Sequence, residues 1–127
     1  MGGEEVIGAA AADPRIRAVV AEGAGQRVPA DKTWMSEVYG VAGAAQAQLD
    51  KVTYAVVDLL TAADPPTPLR RAAELAAPRP MLLIAGGAVQ DEEHAARAIQ
   101  AGSPISVTVW VVPGSGHIAG LNTQPQE

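Results

Sequence analysis

The sequence predicts a small α/β fold: three parallel strands with flanking helices and a long helical segment between the first two strands. Two observations carry this. Helix-forming segments alternate with short, almost wholly apolar runs such as PMLLIAGG and ISVTVWVV, the signature of strands buried on both faces of a parallel sheet. Hydrophobic residues make up 48% of 127 residues, so one domain with a buried core is affordable at this length. Phe is absent and aromatics are 3%, which leaves Ala, Val, Leu and Ile to build that core and predicts modest stability.

Gly3 to Ala12 reads as a helix, with Glu4 and Glu5 in the first turn where the macrodipole favours anions. Ala9 to Ala12 are strong helix formers, and Asp13-Pro14 ends the run. Arg15 to Gly23 reads as the first strand. A Gly- and Pro-containing loop runs to Thr33, followed by two expected helices, Trp34 to Leu49 and Val52 to Thr61. Asp64 to Pro68 is a rigid linker and Leu69 to Ala76 a short helix. Pro80 to Gly87 is the second strand, Asp91 to Ala101 a helix, and Ile105 to Val112 the third strand. A three-stranded sheet leaves the first strand with an open apolar edge, a surface through which copies could self-associate.

Several function classes are disfavoured. The net charge is −5, with no basic cluster interleaved with aromatics, so nucleic acid is not expected as a partner. No apolar run approaches a membrane span, and Glu4 and Glu5 stand where a signal peptide would be basic. A soluble cytoplasmic domain is the expectation. Cys is absent, and no His pair has helical spacing. A metal centre from Asp91, Glu93, His94 and His117 is therefore weak, and no metal or other cofactor is expected. VWVVPGSGHIAG approximates a nucleotide-binding glycine turn, but its spacing is one residue long and no second strand with a ribose-binding acid follows.

Ligands of parallel sheets bind at the carboxyl ends of the strands. Glu22 closes the first strand, Asp91 and Glu92 follow the second, and His117 follows the third. An acid after one strand and a histidine after the next form half of a catalytic triad, the acid holding the imidazole tautomer and the histidine acting as general base. His94, on the polar side of its helix, reads as solvated. Ser115 is too close to His117 along the chain to serve it as nucleophile.

MGGE before a small-residue helix, the strand ending Glu22-Gly23-Ala24, IAGG with Asp91, and PGSGH with His117 together resemble the C-terminal half of an α/β-hydrolase of the dienelactone-hydrolase or esterase type. In that family the nucleophile elbow is G-x-S-x-G, with order Ser, acid, His. The resemblance implies a partial α/β-hydrolase fold over residues 1–127, with a lid-like helical insertion over 24–77. It implies ester or acyl substrates, His117 as base and Asp91 as preferred acid, with Glu92 and Glu22 as alternatives. Met1 and Gly2 would follow the serine directly, at the elbow and oxyanion hole. No G-x-S-x-G occurs in the chain, so it is expected to be cut just after the serine, to lack the final covering helix and to be inactive alone.

Overall fold

A computed structural model describes residues 2–123. Three parallel strands, β1 (Val19–Glu22), β2 (Met81–Gly86) and β3 (Val107–Val112), form one sheet in the order β1-β2-β3. Val19 lies beside Met81, and Met81 beside Val107. This register puts Val19, Ala21, Met81, Leu83, Ala85 and Val107 on one face, because side chains alternate along a strand.

Helices α1 (Gly2–Ala12), α3 (Leu69–Ala76) and α4 (Gln90–Gln100) cover that face. Ile7 and Ala10 from α1, Leu69, Ala72, Ala73 and Ala76 from α3, and Ala96 and Ile99 from α4 complete the core. Alanine is the main helical contribution, and it lets the helices approach the sheet closely at the cost of little buried area per residue.

The opposite face is barely covered among the described residues. Gly120, which opens the short α5 (Gly120–Thr123), lies against Ile84 and Val112. Val20 is 63% exposed, and Trp110 is half-buried. Among the described strands β1 pairs only with β2, so its outer edge is open.

β1 is shorter than expected. The Asp13 carboxylate accepts from the Arg15 amide, the Ile16 amide donates to the Asp13 carbonyl, and Arg79 takes the Asp13 and Ile16 carbonyls. Residues 15–18 therefore form a turn and connection. β3 likewise begins at Val107, because Ser106 and Val107 both donate to the Ser103 carbonyl.

The segment 34–61 holds two helical stretches, as expected, within α2 (Met35–Leu60), but they do not divide at residues 50–51. Residues 49–52 contain no helix breaker, and Gln46 bonds Asp50 while Thr53 bonds the Leu49 carbonyl, so the helix runs through. The kink that separates the two stretches falls at Gly40, whose φ of 56° and ψ of −131° only glycine adopts readily. Of the segment 24–77, α2 stands outside the core and α3 is part of it.

The two parts of this segment meet at Asp31, in the 3₁₀ turn Pro29–Lys32. Its buried carboxylate accepts from the amides of Arg27 (2.8 Å), Val28 (2.9 Å) and Leu69 (2.6 Å). It thereby fixes the loop after β1 to the first turn of α3.

Candidate active site

The loops after β2 and β3 are stitched together at the carboxyl rim of the sheet. The Gly87 amide donates to the Val112 carbonyl and the Ala88 amide to the Ser115 carbonyl, both at 2.9 Å. The first turn of α4 then rises beside the loop that carries His117.

Glu92 is the acid that meets the histidine. Its Oε1 lies 2.5 Å from His117 Nδ1, and its Oε2 accepts from the Gly86 amide at 2.7 Å. The Glu92 side chain is 8% exposed, whereas that of His117 is 60% exposed. A buried carboxylate with both oxygens engaged, in the first turn of a helix, is held in one orientation. Among the described residues Nε2 of His117 makes no hydrogen bond, so it is available to a second partner.

Asp91, the preferred acid on sequence grounds, lines the same cavity as His117 but bonds another partner. It is exposed, and it accepts a hydrogen bond from the Tyr39 hydroxyl, which holds that hydroxyl's pKa above its ordinary value. One residue along a helix is a rotation of about 100°, enough to turn Asp91 outward and Glu92 inward. Glu22 is engaged too: its Oε1 accepts from the Gly120 amide at 2.6 Å. Met1 lies outside the described residues.

Two backbone features seat the imidazole. Gly23, at the end of β1, has φ +65°, and a Cβ there would fall 2.8 Å from His117 Cε1 and 3.0 Å from Nδ1. The ring thus occupies space that any side chain at position 23 would fill. Ile118, directly after His117, has φ +49°, a costly conformation for a β-branched residue.

The start of α1 shares this rim. A Cβ on Gly3 would touch the Glu22 carbonyl at 3.2 Å and Ala24 at 3.3 Å, and Glu4 Oε1 accepts from the Gly25 amide at 3.0 Å. Burial raises the Glu4 pKa, but hydrogen bonds, including those from the amides of Glu4 and Gly25, outweigh it and hold the carboxyl below its ordinary value. Gly2 opens the helix and lines a neighbouring depression with Gln26, Arg27 and Tyr54.

A cavity of about 310 Å³ adjoins His117 and Glu92, with Trp34, Val89 and Ala95 as apolar lining and Gln26 and Lys32 as polar lining. Trp34 also corrects the sequence reading of His94. Instead of being solvated, His94 is half-buried and stacks on the indole, with ring centroids 5.5 Å apart and planes 23° apart. The cause is the entry of α2, which lays Trp34 against α4. Neither Asp31 nor the role of Trp34 could be found from periodicity, since each acts through residues distant in the chain.

Among the described residues no group of three or more His, Asp or Glu side chains could hold a metal ion. No described helix is long and apolar enough to cross a membrane. Comparison of the chain with protein-family models, curated proteins and solved structures finds no match.

Proposed function

We propose that this chain carries the acid–base half of a serine-hydrolase site of the α/β-hydrolase type, acting on esters or related acyl compounds. The observation that supports it most is the Glu92–His117 pair at the carboxyl rim, with the amino terminus of α1 on the same rim.

In this reading Glu92 accepts the Nδ1–H of His117, which fixes the tautomer and leaves the Nε2 lone pair as general base. The nucleophile would be the family's elbow serine, whose place in the motif falls immediately before Met1. Its oxygen attacks the acyl carbon as Nε2 takes its proton, and the imidazolium returns that proton to the departing alcohol. Water then attacks the acyl-serine by the same route and frees the acid. Developing negative charge on the carbonyl oxygen falls at the start of α1, where the positive end of the helix dipole stabilises it. The cavity beside His117 is of a size to take a small acyl or alcohol group.

The test is to extend the chain with Gly-x-Ser ahead of Met1 and measure p-nitrophenyl ester turnover and fluorophosphonate labelling. Labelling of the added serine, lost in His117→Ala, strongly reduced in Glu92→Gln and retained in Asp91→Asn, is the expected pattern. The chain without the extension should show no turnover above its His117→Ala variant. An extended chain that neither labels nor turns over removes the proposal. Equal sensitivity to Asp91→Asn would remove the assignment of Glu92.

The second reading, a non-catalytic α/β interaction module, is favoured by the open edge of β1. Absence of labelling together with edge-mediated association would select it.

A further inference from the structure

Helix α2 has its apolar stripe on the wrong side for a helix packed on its own domain. Its inward positions are Gly43, which is buried, and Ala47, Asp50 and Tyr54, which are half-buried. Asp50 is fastened to Lys32 of the 3₁₀ turn at 3.6 Å. Half a turn round the helix, Leu49, Val52, Val56 and Leu59 are 50–84% exposed, and the exposed Ala42 and Ala45 extend the row. An ordinary surface helix reverses this arrangement.

The spacing identifies the kind of partner. From 42 the row steps by three, four, three, four and three residues to 59, the 3.5-residue repeat of a coiled-coil seam. A lipid surface is the poorer fit. Membrane-surface helices are rich in Lys and Arg on the polar face, whereas α2 carries Lys51 as its one base against Glu37, Asp50 and Asp58.

We infer that two copies of this chain dimerise through α2, pairing antiparallel about a two-fold axis level with Tyr54. In that register Leu49 lies opposite Leu59 of the second copy, and Val52 opposite Val56, so these layers match in size and complement themselves, while Ala42 and Ala45 lie beyond the overlap. The residues flanking the seam, Gln46, Gln48, Thr53, Ala55 and Leu60, are uncharged. Two chains of net charge −5 therefore meet without like charges along the contact. The antiparallel arrangement also opposes the two helix dipoles favourably. The interface is separate from the β1 edge and independent of the hydrolase reading.

Two measurements on the full chain test this. Sedimentation equilibrium should give twice the 13.0 kDa chain mass, and the Val52→Lys/Val56→Lys variant should return to the single-chain mass. Both positions are exposed, so the substitutions leave the core untouched, and an unchanged near-ultraviolet spectrum checks it. The chain has no cysteine, so cross-linking is unambiguous. Leu49→Cys/Leu59→Cys should oxidise to a covalent dimer. Leu49→Cys alone should not, because its symmetry mate would be about 15 Å away along the axis.

A single-chain mass at every concentration, or a dimer indifferent to the lysines, overturns the inference. So does cross-linking by Leu49→Cys alone, which would mean parallel helices. Sedimentation with phosphatidylglycerol vesicles in place of dimerisation would assign the stripe to lipid and overturn it equally.

Discussion

Replacing Gly23 by alanine is a direct probe of how His117 is held. The added Cβ lies 2.8 Å from Cε1 and 3.0 Å from Nδ1, so the ring must retreat by at least about 0.6 Å to restore an ordinary 3.4 Å contact. The backbone has φ +65° there, which costs a non-glycine residue roughly 1–2 kcal/mol. If the ring swings away, the buried Oε1 of Glu92 loses its partner, at about 1–3 kcal/mol. Together these give a destabilisation of roughly 2–5 kcal/mol, a sizeable part of the roughly 6–19 kcal/mol expected of 127 residues. Urea unfolding followed by circular dichroism measures the change as a lowered midpoint at constant slope. The imidazole N–H resonance of His117 reports whether the bond to Glu92 survives. Gly25→Ala is the control, because a Cβ at that position meets nothing within 4 Å. A Gly23→Ala protein within about 0.5 kcal/mol of the parent, with an unchanged His117 resonance, would refute this account of the site.

Asp31→Ala should cost about 3–5 kcal/mol in the same unfolding assay, because three amides lose a charged acceptor at once; a loss below about 1 kcal/mol would show that water replaces it. For Glu4, the lowered folded pKa means its contribution is present above the unfolded value of 4.5 and lost as pH falls through the folded one. The stability gap between the parent and Glu4→Gln should therefore be constant near neutrality and close on acidification below about pH 4.5; a gap that widens in acid would reverse the sign. Ile118→Gly should relieve the positive φ and stabilise by about 1 kcal/mol, less what its mostly exposed side chain contributes; an unchanged or raised thermal midpoint is expected, and a fall of several degrees would show that the side chain anchors the loop.

The parallel sheet was legible because its strands are apolar on both faces, a pattern that neither a surface helix nor a hairpin produces. The rim that carries the site followed from topology, since parallel strands put their carboxyl ends together. Choosing between Asp91 and Glu92 was not possible from sequence. Both sit in the first turn of α4, and only the rotation of that helix on the sheet decides which faces His117. The expected break between Leu49 and Val52 is not there, since Asp50 has partners within and beside the helix, and the kink lies earlier, at Gly40. Asp31 left no local trace, because its acceptor role joins positions 27, 28 and 69.

The two tryptophans of the chain report on opposite sides of the sheet. Trp34 is stacked on His94 beside the cavity, so its emission reports on that contact. Trp110 lies on the sparsely covered face in register with Ile84 and Glu22, where any layer added over the sheet would dry the indole and move its emission to the blue. A single fluorescence titration therefore separates events beside the cavity from events on the sheet's bare side, and replacing either indole by phenylalanine assigns each signal without an external label.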